Sequence, residues 1–145
     1  MLEQEERIAQ KSKLNPPRTM TVDGLMFLKG LAAKITSGVI LELGPLFGSS
    51  TNHIAQGRIS NTIPIHTIDT FKSADWIEKR FGVNLSLKTF NKFTDHIKNL
   101  TVHEGFAPTI VKNTWQEQIG LYFDDATHGN PGWLDNYNFF SKNFL

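Results

Sequence analysis

The residues best suited to chemistry lie directly after apolar runs of the sequence. The first run, Val39–Leu43, carries the acid Glu42 and is followed by Gly44 and Gly48, and a helix is predicted to begin at Ser49. Glycines let the backbone turn tightly and approach a ligand without a Cβ. Amides at the start of a helix offer donors to an anion. This combination predicts a nucleotide-like ligand at the carboxyl end of the first strand.

Polar or glycine residues also follow the three other predicted strands. Asp69 follows Pro64–Ile68, Gly105 follows Leu100–Glu104, and Asp124, Asp125 and His128 follow Ile119–Phe123. Strands that alternate with helices predict a parallel sheet with right-handed crossovers. Ligands of such sheets bind beyond the carboxyl ends of the strands. The candidate residues are therefore expected to converge on one edge of the sheet.

Helical spacing of apolar residues predicts the connections between these strands. Thr21 is the expected N-cap of a helix whose apolar stripe is Leu25, Leu28, Leu31, Ala32 and Ile35. Further helices are predicted over Ser49–Gln56, Ala74–Arg80, Ser86–Asn99, Phe106–Asn113 and Pro131–Lys142. The fold class is therefore α/β, a Rossmann-like three-layer sandwich with a mostly parallel sheet.

Composition bounds the kinds of protein that this chain can be. Its 145 residues carry a formal net charge of +1, and they form no basic face that would predict nucleic acid as a partner. The absence of cysteine excludes disulfides, thiolate zinc sites and a cysteine nucleophile. Neither a secretory leader nor an apolar run of membrane-spanning length is visible, so we expect a cytoplasmic protein without a membrane partner.

Three segments together resemble the class I S-adenosylmethionine-dependent methyltransferases. Glu42–Ser50 is similar to their motif I, and Ile65–Phe71 is similar to the acidic end of their second strand. Leu121–His128, followed by Gly129 and Asp135, resembles an "Ile-Asp-Gly-x-His" signature. That signature is found in a subgroup acting on small molecules and sugars, including macrocin-type O-methyltransferases. The resemblance extends from about Thr19 to Leu145.

This resemblance implies a role for each matching residue. The methionine part of the cofactor would lie at Gly44, Gly48 and Ser50, with Glu42 near its ammonium group. Asp69 would accept both ribose hydroxyls, as an acid after the second strand does in dinucleotide folds. Thr70 and Phe71 would border the ribose and adenine. Gly105 and Phe106 would border the adenine. Asp125 and His128 would face the sulfonium and the acceptor.

The implied reaction is transfer of a methyl group to a small-molecule acceptor, with oxygen as the expected nucleophile. His128 would be the general base for the acceptor's proton. Alternatively, Asp125 could help to hold a divalent cation that acidifies the acceptor, although one carboxylate pair is a weak metal signal. A non-catalytic S-adenosylmethionine-binding or structural remnant is the second interpretation. A nicotinamide-dependent oxidoreductase is disfavoured, because the turn is Gly-x-x-x-Gly instead of Gly-x-Gly-x-x-Gly.

The chain departs from the family pattern in length. Residues 1–20 read as a polar leader, and 21–145 as an incomplete methyltransferase-like domain that lacks the usual C-terminal strands. We therefore expect the fourth strand to lie at an exposed sheet edge, where a second copy of the chain could associate. Two departures lie in the site itself: Pro45 removes a backbone donor, and Gly105-Phe106-Ala107 stands where an acid often contacts the adenine.

Overall fold

The computed structural model describes residues 15–126, 129 and 131–145. The strands are β1 (Val39–Leu43), β2 (Ile65–Asp69), β3 (Leu100–Glu104) and β4 (Ile119–Asp124). The α-helices are α1 (Val22–Ala32), α2 (Ser49–Gly57), α3 (Asp75–Phe81), α4 (Leu87–Thr94) and α5 (Gly132–Phe140). Short 3₁₀ helices cover Thr109–Val111 and Ser141–Asn143.

The four strands form one parallel sheet in the order β3-β2-β1-β4. Ile40 of β1 is aligned with Ile65 of β2, and Leu43 with Ile68. Because all strands run in the same direction, their carboxyl ends lie along one edge. The predicted α/β class with a parallel sheet is confirmed.

The sheet is covered on both faces, which gives three layers. Val39, Leu41 and Leu43 pack with Phe140 of α5 on one face. Ile40 packs on the other face with residues of α1 and α2. Every residue of β1 is buried, as expected for the near-continuous apolar run of a central strand.

Helix boundaries follow local capping more closely than apolar spacing. The Thr21 hydroxyl accepts the Gly24 amide at 3.1 Å and caps α1, as predicted. Leu31 was expected in the buried stripe but is 37% exposed. It directly precedes Ala32, and one residue is a rotation of about 100° around a helix, so it lies at the flank of the face that packs on α2.

Two predicted helices are shorter in the structure. The predicted helix over Ser86–Asn99 covers only Leu87–Thr94, where the Ser86 capping box starts it and Asp95 ends it. The predicted helix over Phe106–Asn113 is reduced to the 3₁₀ turn Thr109–Val111. Both differences lengthen the non-helical segments that lead into β3 and β4.

Among the described residues, β4 is an edge strand of the sheet, as expected. Its outer side is paired at its first residue, where Ile119 bridges to Phe144 and accepts the Leu145 amide at 3.0 Å. Association of a second copy through this edge stays a prediction. None of the described helices combines the length and the apolar character needed to cross a membrane.

Candidate functional site

A cavity of about 710 Å³ lies at the carboxyl edge of the sheet. Its walls come from the segments that follow all four strands, as the sequence predicted. The lining includes Gly44, Asp69, Thr70, Gly105, Phe106 and Asp125 from the predicted site residues. A volume of this size is typical of a small-molecule or cofactor site.

Gly44 forms the turn between β1 and the cavity. Its φ of +76° is in the left-handed region, and a Cβ there would lie 2.7 Å from the backbone of Ala126. The Gly44 amide donates to the Ile68 carbonyl at 3.0 Å, and the Asp125 amide donates to the Leu43 carbonyl at 3.0 Å. A glycine is therefore required because the segment after β4 passes directly over this turn.

Gly48, like Gly44, has a positive φ and no space for a Cβ, but the residues around it belong to the core. It precedes α2 with a φ of +92°, and a Cβ would lie 2.5 Å from Thr94 Cγ2 of α4. The glycine thus lets α4 pack against the start of α2.

Glu42 is fully buried beneath the first turn of α2. Its carboxylate accepts a short hydrogen bond from the Ser50 hydroxyl and one from the Thr51 hydroxyl at 2.6 Å. Burial raises the pKa of Glu42 to about 7, whereas the two hydroxyl bonds oppose that rise. The described contacts of Glu42 are with α2 and not with the cavity, so its predicted approach to the ammonium stays a prediction.

Asp69 ends β2 and lines the cavity. Its Oδ1 accepts the Phe71 amide at 2.9 Å, and the amides of Thr70 and Leu46 also donate to its carboxylate. Burial is the largest influence and raises the pKa of Asp69, while these amide bonds act in the opposite direction. The carboxylate thus joins the loops after β1 and β2 and still faces the cavity.

The two residues after Asp69 have different surroundings. Thr70 lines the cavity. Phe71 is buried with a φ of +50°, and its ring packs 4.9 Å from that of Phe90. Phe71 therefore contributes its amide to Asp69 and its ring to the core, and direct contact between its ring and a ligand stays a prediction.

The segment after β3 forms an apolar wall. Gly105 and Phe106 line the cavity with Ala107, and Phe106 is 69% exposed. Lys72 Nζ lies 6.0 Å from the centre of the Phe106 ring. A Cβ at Gly105 would lie 2.9 Å from Ile110, which explains the glycine through packing of the following 3₁₀ turn.

The two consecutive acids at the end of β4 have different surroundings. Asp124 accepts hydrogen bonds from the Tyr122 hydroxyl at 2.8 Å, the Ala126 amide at 3.1 Å and Asn136 Nδ2 at 3.2 Å. It is therefore a structural turn residue. Asp125 lines the cavity instead. His128 lies outside the described residues, and its role as a base stays a prediction.

Several lining residues were not predicted from the sequence. Trp76, Ile77 and Arg80 of α3 form a wall. Asn136 of α5 also lines the cavity. Only residue spacing on α3 could have indicated its wall, because positions 76, 77 and 80 share one helical face.

The predicted leader contributes to the same region. Thr19 lines the main cavity, and Pro17–Met20 line a smaller adjoining cavity of about 20 Å³. Ser50 and Asp125 also line this smaller cavity. The last residues of the leader therefore lie against the glycine turn.

Within residues 15–126, 129 and 131–145, no group of three or more His, Cys, Asp or Glu side chains is arranged to hold a metal ion. Asp125 alone among the predicted residues remains as a candidate metal ligand. A divalent cation therefore stays a prediction from the sequence.

Comparison with known proteins identifies the architecture of the chain and does not identify its family. Neither a protein-family model nor a curated protein matches the chain. Among solved structures, an O-methyltransferase from Bacillus cereus, in complex with SAH (S-adenosylhomocysteine), is similar with a TM-score of 0.64 and 20% sequence identity. The alignment covers 99% of this chain and 61% of that chain. The likeness shows a Rossmann-like fold of the kind found in that methyltransferase, and this chain spans about three fifths of its length.

Proposed function

We propose that the chain binds S-adenosylmethionine and transfers its methyl group to an oxygen atom of a small-molecule acceptor. One observation supports this proposal above others. The glycine turn, the start of α2, Asp69 and Asp125 all border the same region at the carboxyl edge of a parallel sheet. The similar fold of an O-methyltransferase solved with S-adenosylhomocysteine is in keeping with that arrangement.

The residues present fit such a cofactor. S-adenosylmethionine would supply a methyl group on a positively charged sulfur. Asp69 lines the cavity with a carboxylate, which is the kind of acceptor that suits ribose hydroxyls. The first amides of α2 suit the methionine carboxylate. Asp125 lies where the two cavities meet and would favour the positive end of the cofactor.

Isothermal titration with S-adenosylhomocysteine tests the binding half of the proposal. We expect saturable binding of one ligand per chain, followed by methylation of acceptors when S-adenosylmethionine is supplied. An absence of binding at ligand concentrations well above those typical for cofactors would reject the assignment. The same titration with reduced nicotinamide cofactor examines the oxidoreductase alternative, which predicts binding where our proposal predicts none.

Two variants of Asp69 separate ligand contact from loop structure. Asp69→Asn keeps an oxygen that can accept the Phe71 amide but removes the charge and one acceptor. Asp69→Ala removes the loop contacts as well. We expect both variants to lose most of the affinity, with Asp69→Asn retaining wild-type thermal stability more closely. Wild-type affinity in Asp69→Asn would contradict a ribose contact at this carboxylate.

Binding without transfer is the second candidate function. The likeness to the solved methyltransferase extends over 61% of that protein, so cofactor binding and methyl transfer need separate measurements. Tight binding of S-adenosylhomocysteine together with no methylation across a broad panel of hydroxylated acceptors would favour a non-catalytic binding domain. Turnover of any acceptor would favour the enzyme.

A further inference from the structure

We propose that the side-chain oxygen of Asn136 recognises the exocyclic amine of adenine and thereby selects an adenine cofactor over its deaminated form. This inference rests on the proposed binding of S-adenosylmethionine. It assigns a specificity-determining contact to a residue of α5 that no sequence motif marked.

Asn136 has an unsatisfied hydrogen-bond acceptor. The side chain is 2% exposed and lines the main cavity. Its Oδ1 is buried without a hydrogen-bond partner among the described residues. Three other side-chain atoms share that condition in the described part of the chain, on Asn52, Arg58 and Thr67, and none of these residues lines the main cavity. A buried acceptor without a partner is costly, which predicts that a ligand supplies the donor.

The orientation of the Asn136 amide is fixed by its neighbours. Its Nδ2 donates to Asp124 Oδ2 at 3.2 Å, and the Tyr122 hydroxyl donates to the same carboxylate oxygen at 2.8 Å. A flip of the amide would place Oδ1 against that carboxylate, where two acceptors would face each other. The network therefore keeps the oxygen turned away from Asp124 and in need of a donor.

The surroundings of Asn136 suit a flat apolar ring. Ile68, Ala107 and Ala126 line the same cavity with apolar side chains. Ile68 and Ala107 also belong to the cluster that contains Phe140. Phe140 lies four residues after Asn136 on α5, so the two side chains share a helical face. A purine that packs on this wall would lie next to a ribose bound at Asp69, because Asp69 directly follows Ile68 in β2.

The donors of the cofactor leave few alternatives for this oxygen. The ribose hydroxyls are assigned to Asp69. The ammonium belongs to the methionine end, which is expected at Ser50 beside the smaller cavity, and Asn136 does not line that cavity. The exocyclic amine is the remaining donor, since the ring nitrogens of adenine are acceptors.

A pair of ligands tests the contact without depending on any variant. S-inosylhomocysteine carries a carbonyl oxygen where S-adenosylhomocysteine carries the amine, so it would face Asn136 Oδ1 with a second acceptor. Titration of the wild-type chain should show at least about tenfold weaker binding of S-inosylhomocysteine, as expected for a buried acceptor left unpaired. Equal affinity for the two ligands would overturn the inference while leaving the proposed function intact.

Variants then locate the preference at Asn136. Asn136→Leu should bind both ligands with similar affinity, because it removes the oxygen and keeps a side chain that branches at Cγ. Tyr122→Phe is the matched control, since it removes a donor to Asp124 in the same network and leaves Oδ1 in place. It should keep the wild-type preference. A preference that persists in Asn136→Leu would also overturn the inference, whereas failure of the wild-type chain to bind either ligand would reject the proposed function itself.

Discussion

The hydroxyl of Thr51 donates to Glu42 Oε2 at 2.6 Å and ties the first turn of α2 to the end of β1. Ser50 donates to the other carboxylate oxygen. The two hydroxyls are consecutive, so the acid holds the helix at its amino end. Glu42 is thus a positioning residue beneath the proposed cofactor site, and its ionisation acts on the geometry of that site.

Glu42 should make the stability of the fold decrease as pH rises from about 4.5 to 7. Burial raises its pKa from 4.5 to about 7, so the folded state holds the proton more tightly than the unfolded state in that window. The contribution of Glu42 to the free energy of unfolding is therefore largest below pH 4.5. It falls by about 3 kcal/mol as pH rises and stays constant above pH 7. Urea unfolding across this pH range measures the change in stability. The difference between the wild type and Glu42→Gln separates the contribution of Glu42 from that of other groups.

The control for this prediction is Glu78→Gln, which removes an exposed carboxylate on α3. Its pH profile should follow that of the wild type. A pH profile of Glu42→Gln that parallels the wild type would show that Glu42 does not carry this dependence.

Gly44→Val should destabilise the chain and abolish binding of S-adenosylhomocysteine. A β-branched residue at a φ of +76° is strained by about 1–3 kcal/mol, and its Cβ would lie 2.7 Å from the Ala126 backbone. Gly30→Ala is the matched control, because nothing lies within 4 Å of its Cβ position in α1. The control should gain about 0.5–1 kcal/mol and keep full affinity. Thermal unfolding and titration of both variants measure the contrast, and unimpaired binding by Gly44→Val would contradict the role of this turn.

A pair of histidines outside the cavity should give the opposite pH dependence. His66 Nδ1 and His103 Nε2 lie 3.0 Å apart, and the Trp115 ring packs 5.2 Å from that of His66. Burial lowers the pKa of both histidines, and for His66 the neighbouring His103 lowers it further while Glu117 raises it.

Because the folded state disfavours their protonation, stability from these histidines is full above about pH 6.5 and is lost as pH falls below it. His103→Gln should reduce this acid-side loss, since one of the two coupled groups no longer titrates. Urea midpoints at pH 7.5 and 5.5 provide the measurement. A midpoint difference as large in the variant as in the wild type would exclude the histidine pair as its source.

The sheet and the position of the site were accessible from sequence because they depend on simple patterns. Apolar runs such as Val39–Leu43 specify buried parallel strands, and the polar residues after them must meet at one edge. Gly44, Asp69 and Asp125 were found in this way, and all three line the cavity. Helix lengths were less accessible: the helix predicted over Ser86–Asn99 ends at Thr94, and residue spacing does not show where the chain leaves it to enter β3.

The missed features depend on side-chain direction in three dimensions. The sequence shows that Ser50 and Thr51 follow Glu42 at a distance of eight and nine residues, but not that both hydroxyls turn back to it. Likewise, Asn136 is an ordinary polar position in a helical pattern until Asp124 fixes its amide. Such contacts arise from the packing of one element on another, which residue spacing does not encode.

The carboxylate of Asp69 connects two loops that are distant in sequence, since it accepts amides from both Leu46 and Phe71. Both residues have positive φ values without being glycine, so each amide is held in a conformation that the chain alone disfavours. Any ligand that strengthens the position of Asp69 will therefore slow hydrogen exchange at both amides together. Hydrogen exchange at these two backbone amides would thus report whether the cavity is occupied. The measurement requires no knowledge of the methyl acceptor.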